Sequence, residues 1–365
     1  MKILYFTNKP APYRVEFFNM LNKKADITVL FDYNSYDHRN PKWYSENKYN
    51  FKFIYIKKFG FFQLRKILKE KFDIIIIGTY ATTNAAILNL LLHHKKIDFF
   101  INADGGFIDY KEKFISKFIK KFFISKASYY LSSGKETNKY LEYYGAKKEN
   151  IFIYPFTSLT SNDFVKFPID YKKKVLLRTK AGYNYRRLFV SVGSFIDIKG
   201  YDFFLEAIND ITMDDIGFVI IGGGKDKEKY LDYIEKNKIN NFHLVDFCSK
   251  KDILNYYKMS DVFFFNSKGD VWGLVINEAM ASGLPIISSK TTIASLELLD
   301  KKNLYDYYDF DKIKGMVYEY YNKTENQLYN EGLNNLLKIK NYTIENMTKR
   351  HLEIFESVLS QNKKN

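Results

Sequence analysis

Residues 270–285 read Asp270-Val271-Trp272-Gly273-Leu274-Val275-Ile276-Asn277-Glu278-Ala279-Met280-Ala281-Ser282-Gly283-Leu284-Pro285. The aromatic run Asp261–Phe265 precedes them and the β-branched run Pro285–Ser288 closes them. A strand, an acidic loop with a glycine turn, a helix over Val275–Ala281 and another strand make one repeat of a parallel sheet with crossover helices. Gly283 suits the left-handed position just past a helix end, and Pro285 blocks continuation. Ligands of open α/β sheets bind beyond the carboxyl ends of the strands. The N–H groups of Gly273, Leu274 and Val275 at the helix start form an anion site suited to a diphosphate. Glu278 fits two vicinal ribose hydroxyls and Asp270 a sugar hydroxyl. By residue type alone, a solvated acidic loop before an ordinary amphipathic helix fits as well.

The same alternation runs outward in both directions. Strands are expected at Lys2–Thr7, Ile27–Phe31, Lys52–Ile56, Asp73–Gly78, Asp98–Ala103, Ser128–Ser132 and Ile151–Tyr154, with helices between them. Ile74–Ile77 is apolar on both faces, as buried parallel strands are. A second series begins with strand Leu188–Gly193 and continues through Gly217–Ile221 and Phe242–Asp246. Ser249 and Asp252 form a capping-box pair ahead of helix Asp252–Met259. Residues 155–187 lack strong periodicity. The expected organisation is a domain over 1–165, a linker over 166–187, a domain over 188–343 and a C-terminal helix over 344–365. Ile344, Met347, His351, Ile354, Phe355 and Val358 share one stripe of that helix, which needs a surface to cover. The fold class is α/β: two Rossmann-like doubly wound domains facing across a cleft, the last helix crossing back to the first.

Composition narrows the partners. The chain has 365 residues, a net charge of +15 and a single cysteine, Cys248. One cysteine excludes a disulfide framework and any multi-cysteine metal site. Asn8 and Pro10 interrupt the first apolar run, so it does not read as a signal peptide. No apolar stretch approaches the roughly 20 residues that span a bilayer. Residues 1–180 hold 33 Lys+Arg against 16 Asp+Glu, a surplus of 17, whereas 181–365 hold 24 against 26. The basic half therefore faces something anionic: a membrane surface, a nucleic acid or a phosphorylated substrate.

Asp270 and Glu278 with seven residues between, followed by Ala279–Pro285, resemble the signature of retaining GT-B glycosyltransferases of family 4. Val192-Gly193-Ser194, Lys199-Gly200, Val219–Gly224 and Tyr256–Val262 fall in that family's order. In the first half, Pro10–Asn19, Asn102–Gly106 and Ser132–Thr137 resemble members from bacterial capsule and exopolysaccharide clusters. The resemblance implies Lys199 for phosphate, Glu278 for ribose and Asp270 for the transferred sugar. Two positions depart from the pattern. Asp270 stands where Glu is usual, and Ser194 where an Arg commonly helps hold the diphosphate. Phosphate binding then leans on Lys199 and backbone N–H groups, or recruits Lys225.

Several other features bear on chemistry. Gly222, Gly223 and Gly224 follow a strand, but the dinucleotide fingerprint needs a third glycine where Lys227 stands; they read as a turn facing a nucleotide or as a structural turn. Asn102, Asp104, Gly105 and Gly106 end one strand, with Thr79 and Tyr80 at its neighbour. Asp104 aligns an acceptor hydroxyl or helps remove its proton, or else serves as a cap or turn. Pro12, Tyr13 and Arg14 lie in the first strand–helix loop, where Arg14 meets an acceptor phosphate or sits at a solvated helix start. Lys111–Lys126 interleaves lysines with Phe114, Ile115, Phe118, Ile119, Phe122 and Phe123. Its apolar stripe either covers the sheet with a basic side towards an anionic membrane, or the helix is simply solvated. Histidines 38, 93, 94, 243 and 351 lack metal spacing, and Asp309-Phe310-Asp311 reads as a surface loop. No metal is implied.

The expected function is thus a metal-independent, retaining transfer of a sugar from a nucleotide-diphosphate donor to a hydroxyl of a lipid-linked glycan in surface polysaccharide synthesis. The donor would bind the second domain and the acceptor the first, with no cofactor beyond the donor substrate. The single cysteine and the basic first half lead to the expectation of a cytoplasmic protein, peripheral at the inner face of the membrane, and no nucleic-acid module is recognised. Two other classes stay open: a non-catalytic binder of an anionic polymer, and a two-domain sugar-nucleotide epimerase.

Overall fold

The computed structural model describes residues 1–32, 48–209, 211 and 213–362; His38 lies outside them. The chain forms two compact units, Met1–Ser158 with Tyr342–Asn365, and Leu159–Asn341. In the first unit, β1 (Lys2–Thr7), β2 (Asp26–Asp32), β3 (Lys52–Ile56), β4 (Ile74–Ile77), β5 (Phe100–Ala103), β6 (Tyr129–Ser132) and β7 (Ile151–Ile153) form a parallel sheet. Its strand order is β3-β2-β1-β4-β5-β6-β7, so the chain reverses direction across the sheet between β1 and β4. Leu4 lies opposite both Thr28 and Ile75, and Ile74–Ile77 is buried throughout. The connecting helices are α1 (Pro12–Asn22), α2 (Phe61–Ile67), α3 (Thr83–His94), α4 (Phe114–Ile124) and α5 (Lys135–Tyr143). One core cluster joins Leu64 of α2, Leu88 of α3, Ile124 of α4 and Leu141 of α5, which puts these four helices on one face of the sheet.

The second unit repeats the plan. Strands β8 (Arg187–Val192), β9 (Ile216–Ile221), β10 (Phe242–Val245), β11 (Val262–Phe265), β12 (Ile286–Ser289) and β13 (Leu304–Tyr305) take the order β10-β9-β8-β11-β12-β13, all parallel. Its helices are α6 (Tyr171–Lys180), α7 (Tyr201–Ile208), α8 (Lys227–Lys236), α9 (Lys250–Met259), α10 (Leu274–Ala281), α11 (Ile293–Leu298), α12 (Phe310–Asn322) and α13 (Glu325–Ile339). Ser249 caps α9 by accepting from Asp252 N (3.3 Å), and Gly283 takes φ +70° past the end of α10. The switch here lies between β8 and β11.

Three sequence expectations change. The stretch 166–187, expected as a linker, holds α6 within the second unit. Its inward positions, Lys174 and Arg178, are charged, so the helix shows no apolar period. Arg178 donates to Asp261 (2.5 Å) and to the Arg186 carbonyl (2.6 Å), with both charged partners buried. Asp309 is not in a surface loop: it caps α12 by accepting from Lys312 N (3.0 Å), with Asp311 in the first helical turn. The largest change concerns α4, which neither covers the sheet with its apolar stripe nor turns a simply basic side outward. Phe114, Ile115 and Phe118 are 80%, 72% and 60% exposed, whereas Lys117 and Lys120 turn inward to Tyr143, Tyr144 and Glu112.

The last helix, α14 (Ile344–Asn362), belongs with the first unit and packs on α1 through His351 and on the sheet through Phe355. His351 lies between the rings of Phe17 (4.8 Å) and Tyr154 (4.5 Å), its Nδ1 hydrogen-bonded to the Met347 carbonyl (2.7 Å). Burial lowers its pKa from 6.5 to about 3. The unfolded chain takes up this proton near 6.5 and the folded chain only near 3. Stability is therefore lost as pH falls from about 7 towards 3, by up to about 1.4 kcal/mol per pH unit. In the His351→Gln protein this part of the acid sensitivity is expected to vanish when denaturant melts at pH 7 and 5 are compared. Equal slopes in variant and parent would contradict it.

Candidate functional site

The second unit gathers its polar groups at the carboxyl ends of β8 and β11, the strands that flank the switch. Asn266 and Ser267 directly follow β11 and brace the β8 loop, donating to the carbonyls of Gly200 (2.9 Å) and Ile198 (3.0 Å). Gly200 takes φ +63°, and a Cβ there would lie 2.2 Å from the Asn266 carbonyl oxygen, so no other residue fits. This brace carries Lys199 across the strand end. Its stem passes 3.6 Å from where a Gly193 side chain would stand, and its ammonium donates to Asp270 (2.5 Å) and lies 5.1 Å from the Phe265 ring centre. An ammonium has three donors, of which Asp270 takes one.

Asp270 is fixed by its own backbone. Its N–H donates to the Thr291 carbonyl (3.1 Å), and its carboxylate accepts from Trp272 N (3.3 Å). Gly273 follows at φ +94° and starts α10. Ile276 N makes the first helical bond, to Gly273 O (2.9 Å), so the N–H groups of Leu274 and Val275 precede the intrahelical ladder. Lys199, Asp270 and this helix start are thus held at neighbouring strand ends. Glu278 lies one turn into α10, half-buried, and accepts from Tyr257 at 3.4 Å. Burial and then the Glu278 charge push the Tyr257 pKa well up, which keeps the phenol a donor.

The glycine turn after β9 divides by role. A Cβ on Gly222 would fall 1.9 Å from the Gly193 carbonyl oxygen, so close strand packing requires that glycine. Gly223 meets nothing nearer than Phe247 Cβ at 3.9 Å. Ser194 is half-buried and Lys225 exposed in the adjoining loops.

In the first unit Asp104, just past β5, joins three elements. Its carboxylate accepts from Arg14 Nη2, from Tyr154 (2.9 Å) and from Asn102 Nδ2 (2.8 Å). An ionised carboxylate has about four acceptor positions, so Asp104 is a hub rather than the cap or turn its sequence context allows. Arg14 is not at a solvated helix start. It is buried, donates also to Tyr5 (2.8 Å), and lies beside the rings of Tyr13 and Phe156. Pro12 opens α1, and Gly105 is buried next to Asp104. Tyr80 stands with Tyr140 instead (2.7 Å between hydroxyls). Sequence reasoning missed Tyr154, Tyr5, Tyr257 and Phe265. Their partners lie between 9 and 66 positions away along the chain, and an aromatic residue gives no local sign of such pairing. Among the described residues no three His, Cys, Asp or Glu side chains gather as metal ligands.

Comparison with known proteins bears on the second unit and on the fold. Residues 177–338, most of the second unit, match the family described as glycosyl transferases group 1. An uncharacterized glycosyltransferase of Methanocaldococcus jannaschii is 28% identical over 117 residues, which cover 32% of each chain. Spore coat protein SA of Bacillus subtilis is 30% identical over 148 residues, 38% of this chain and 39% of that one. The chain thus spans about a third of the length of these curated relatives. The crystal structure of Anabaena HepE in complex with UDP and glucose superimposes with a TM-score of 0.75, covering 98% of this chain and 100% of that one at 14% identity. The fold is the GT-B architecture of the glycosyltransferases, with two Rossmann-like parallel-sheet domains.

Proposed function

We propose that this protein is a retaining glycosyltransferase that moves a sugar from a nucleotide-diphosphate donor to a hydroxyl of a lipid-linked glycan in surface polysaccharide synthesis. The observation that carries the reading is the Lys199–Asp270 pair beside the α10 N-terminus, at the strand switch of the segment that matches the glycosyl transferases group 1 family. Departure of a nucleoside diphosphate builds negative charge on a phosphate oxygen. Fixed donors aimed at developing charge are usually the largest catalytic contribution. Lys199 and the N–H groups of Gly273–Val275 supply them, so the reaction needs no metal, and Lys225 adds a flexible cation. Glu278 takes the ribose hydroxyls, Gly193, Ser194, Gly222 and Gly223 line the nucleotide, and Asp270 orients the transferred sugar.

In the proposed reaction the bond from the anomeric carbon to the diphosphate breaks while the acceptor oxygen attacks the same face. The acceptor proton passes to the departing phosphate oxygen, so no side chain need act as nucleophile. The first unit recognises the acceptor. Asn102 and the last acceptor position of Asp104 orient its hydroxyl, Arg14 positions Asp104, and Tyr13 and Tyr80 supply ring surfaces. A diphosphate-lipid acceptor places the protein at the inner face of the cell membrane, where the basic surplus of residues 1–180 is attracted to anionic headgroups.

Incubation with a panel of nucleotide sugars and membrane-extracted lipid acceptors, followed by NMR of the product, tests this reading. A new glycoside with the donor's anomeric configuration is expected. Inversion would remove the retaining assignment, and donor conversion without an acceptor would make the protein an epimerase. For Asp270→Asn, kcat is expected to fall at least about tenfold, roughly 1.4 kcal/mol, with nucleoside diphosphate affinity within about threefold of the parent. Unchanged transfer would end the sugar-contact role of Asp270.

A further inference from the structure

Helix α4 is amphipathic in the inverted sense. At roughly 100° per residue, Phe114, Ile115, Phe118, Ile119 and Phe122 fall on one continuous arc, and all five are exposed. The opposite arc is held in place by polar contacts. Lys120 pairs with Glu112 (2.8 Å), Lys117 donates to the Tyr143 hydroxyl (2.5 Å), and Ser116 donates to Glu112 (3.2 Å). Ile124 alone is fully buried. Turning the apolar arc inward would break each of these contacts, so the outward face is fixed by the fold.

We infer that the exposed apolar arc of α4 is a membrane-docking surface that lies in the interface of an anionic bilayer. The helix has 11 residues, far short of the roughly 20 that span a bilayer, so it lies along the interface. Aromatic and aliphatic side chains enter the headgroup–acyl boundary, and cations at the rim meet anionic lipid. The surroundings are basic: Lys121 is exposed at the edge of the arc, Lys111 and Lys113 are exposed just ahead of the helix, and Lys126 lies 4.2 Å from the Phe122 ring centre. Tyr110, 79% exposed, extends the patch before the helix. Contiguous apolar surface rimmed by charge is otherwise uncommon on proteins that stay in water. This corrects the sequence expectation in one respect. Apolar insertion by the phenylalanines dominates, because Lys117 and Lys120 are used internally.

Vesicle binding reads the inference on the intact protein without any sugar transfer, so its failure would leave the donor assignment untouched. Flotation is measured with vesicles of phosphatidylcholine containing phosphatidylglycerol, and of phosphatidylcholine alone. The parent is expected to float with the anionic vesicles, and Phe114→Ser/Phe118→Ser to lose at least about tenfold in partitioning with an unchanged thermal melt. Lys113→Gln/Lys121→Gln should lose several-fold and become less salt-sensitive. Phe118→Trp should keep binding, with a blue-shifted emission that brominated lipids quench. Absent parent binding, or equal binding by the double serine variant, would overturn the inference. So would a dimer that the serine substitutions dissociate, since a second copy would then cover the arc.

Discussion

Lys199→Ala is expected to lower kcat/KM for the sugar donor by about 10²–10³, equivalent to about 3–4 kcal/mol of transition-state stabilisation. The size follows from its role. Ser194 stands where the resembled family commonly has a second cation, so Lys199 and the α10 N-terminus carry the leaving-group charge between them. Stability should hardly change, because Lys199 and Asp270 retain 17% and 22% side-chain exposure and water can solvate the orphaned carboxylate. Steady-state kinetics with a thermal melt on the same sample separates the two effects. Parent-like kinetics would remove Lys199 from the donor site.

Arg178→Met is expected to do the opposite, destabilising the second unit by about 3–5 kcal/mol while leaving donor chemistry intact in the fraction that folds. Arg178 is fully buried, and Asp261 Oδ2 accepts from both its guanidinium and Leu188 N (2.9 Å). Removing the cation strands a carboxylate at the start of β11. Adding Asp261→Asn should restore much of the loss, since the amide oxygen still accepts from Leu188 N without a charge to neutralise. Denaturant melts of the single and double variants measure the coupling. A single variant as stable as the parent, or a double variant no better than the single, would contradict this account.

These two sites mark what the sequence made legible and what it hid. Most strands were legible because they are short β-branched or aromatic runs buried on both faces, as Ile74–Ile77 shows; β3 is legible though largely exposed, and the two-residue β13 left no run to read. The donor loop was legible because its chemistry is local: Asp270, Gly273 and Glu278 sit within nine residues. Helix α6 was hidden because Lys174 and Arg178 form its buried face, and their counter-charge lies 83 positions from Arg178, at Asp261. The burial of Arg14 was hidden for the same reason, since Asp104 is 90 positions distant. In α4 the periodicity was visible but not its direction. The contacts of Lys117 and Lys120 with Tyr143, Tyr144 and Glu112, not the hydrophobic pattern, decide which arc faces inward.

The central claim is that the β8–β11 strand ends bind a nucleoside diphosphate. Calorimetric titration of ADP, GDP, UDP, CDP and dTDP into the parent protein and into Lys199→Ala tests it most directly. At least one diphosphate should bind the parent, and its affinity should fall by at least about tenfold in the variant while both proteins melt alike. No binding by any of the five, or equal affinity in the two proteins, would contradict the account.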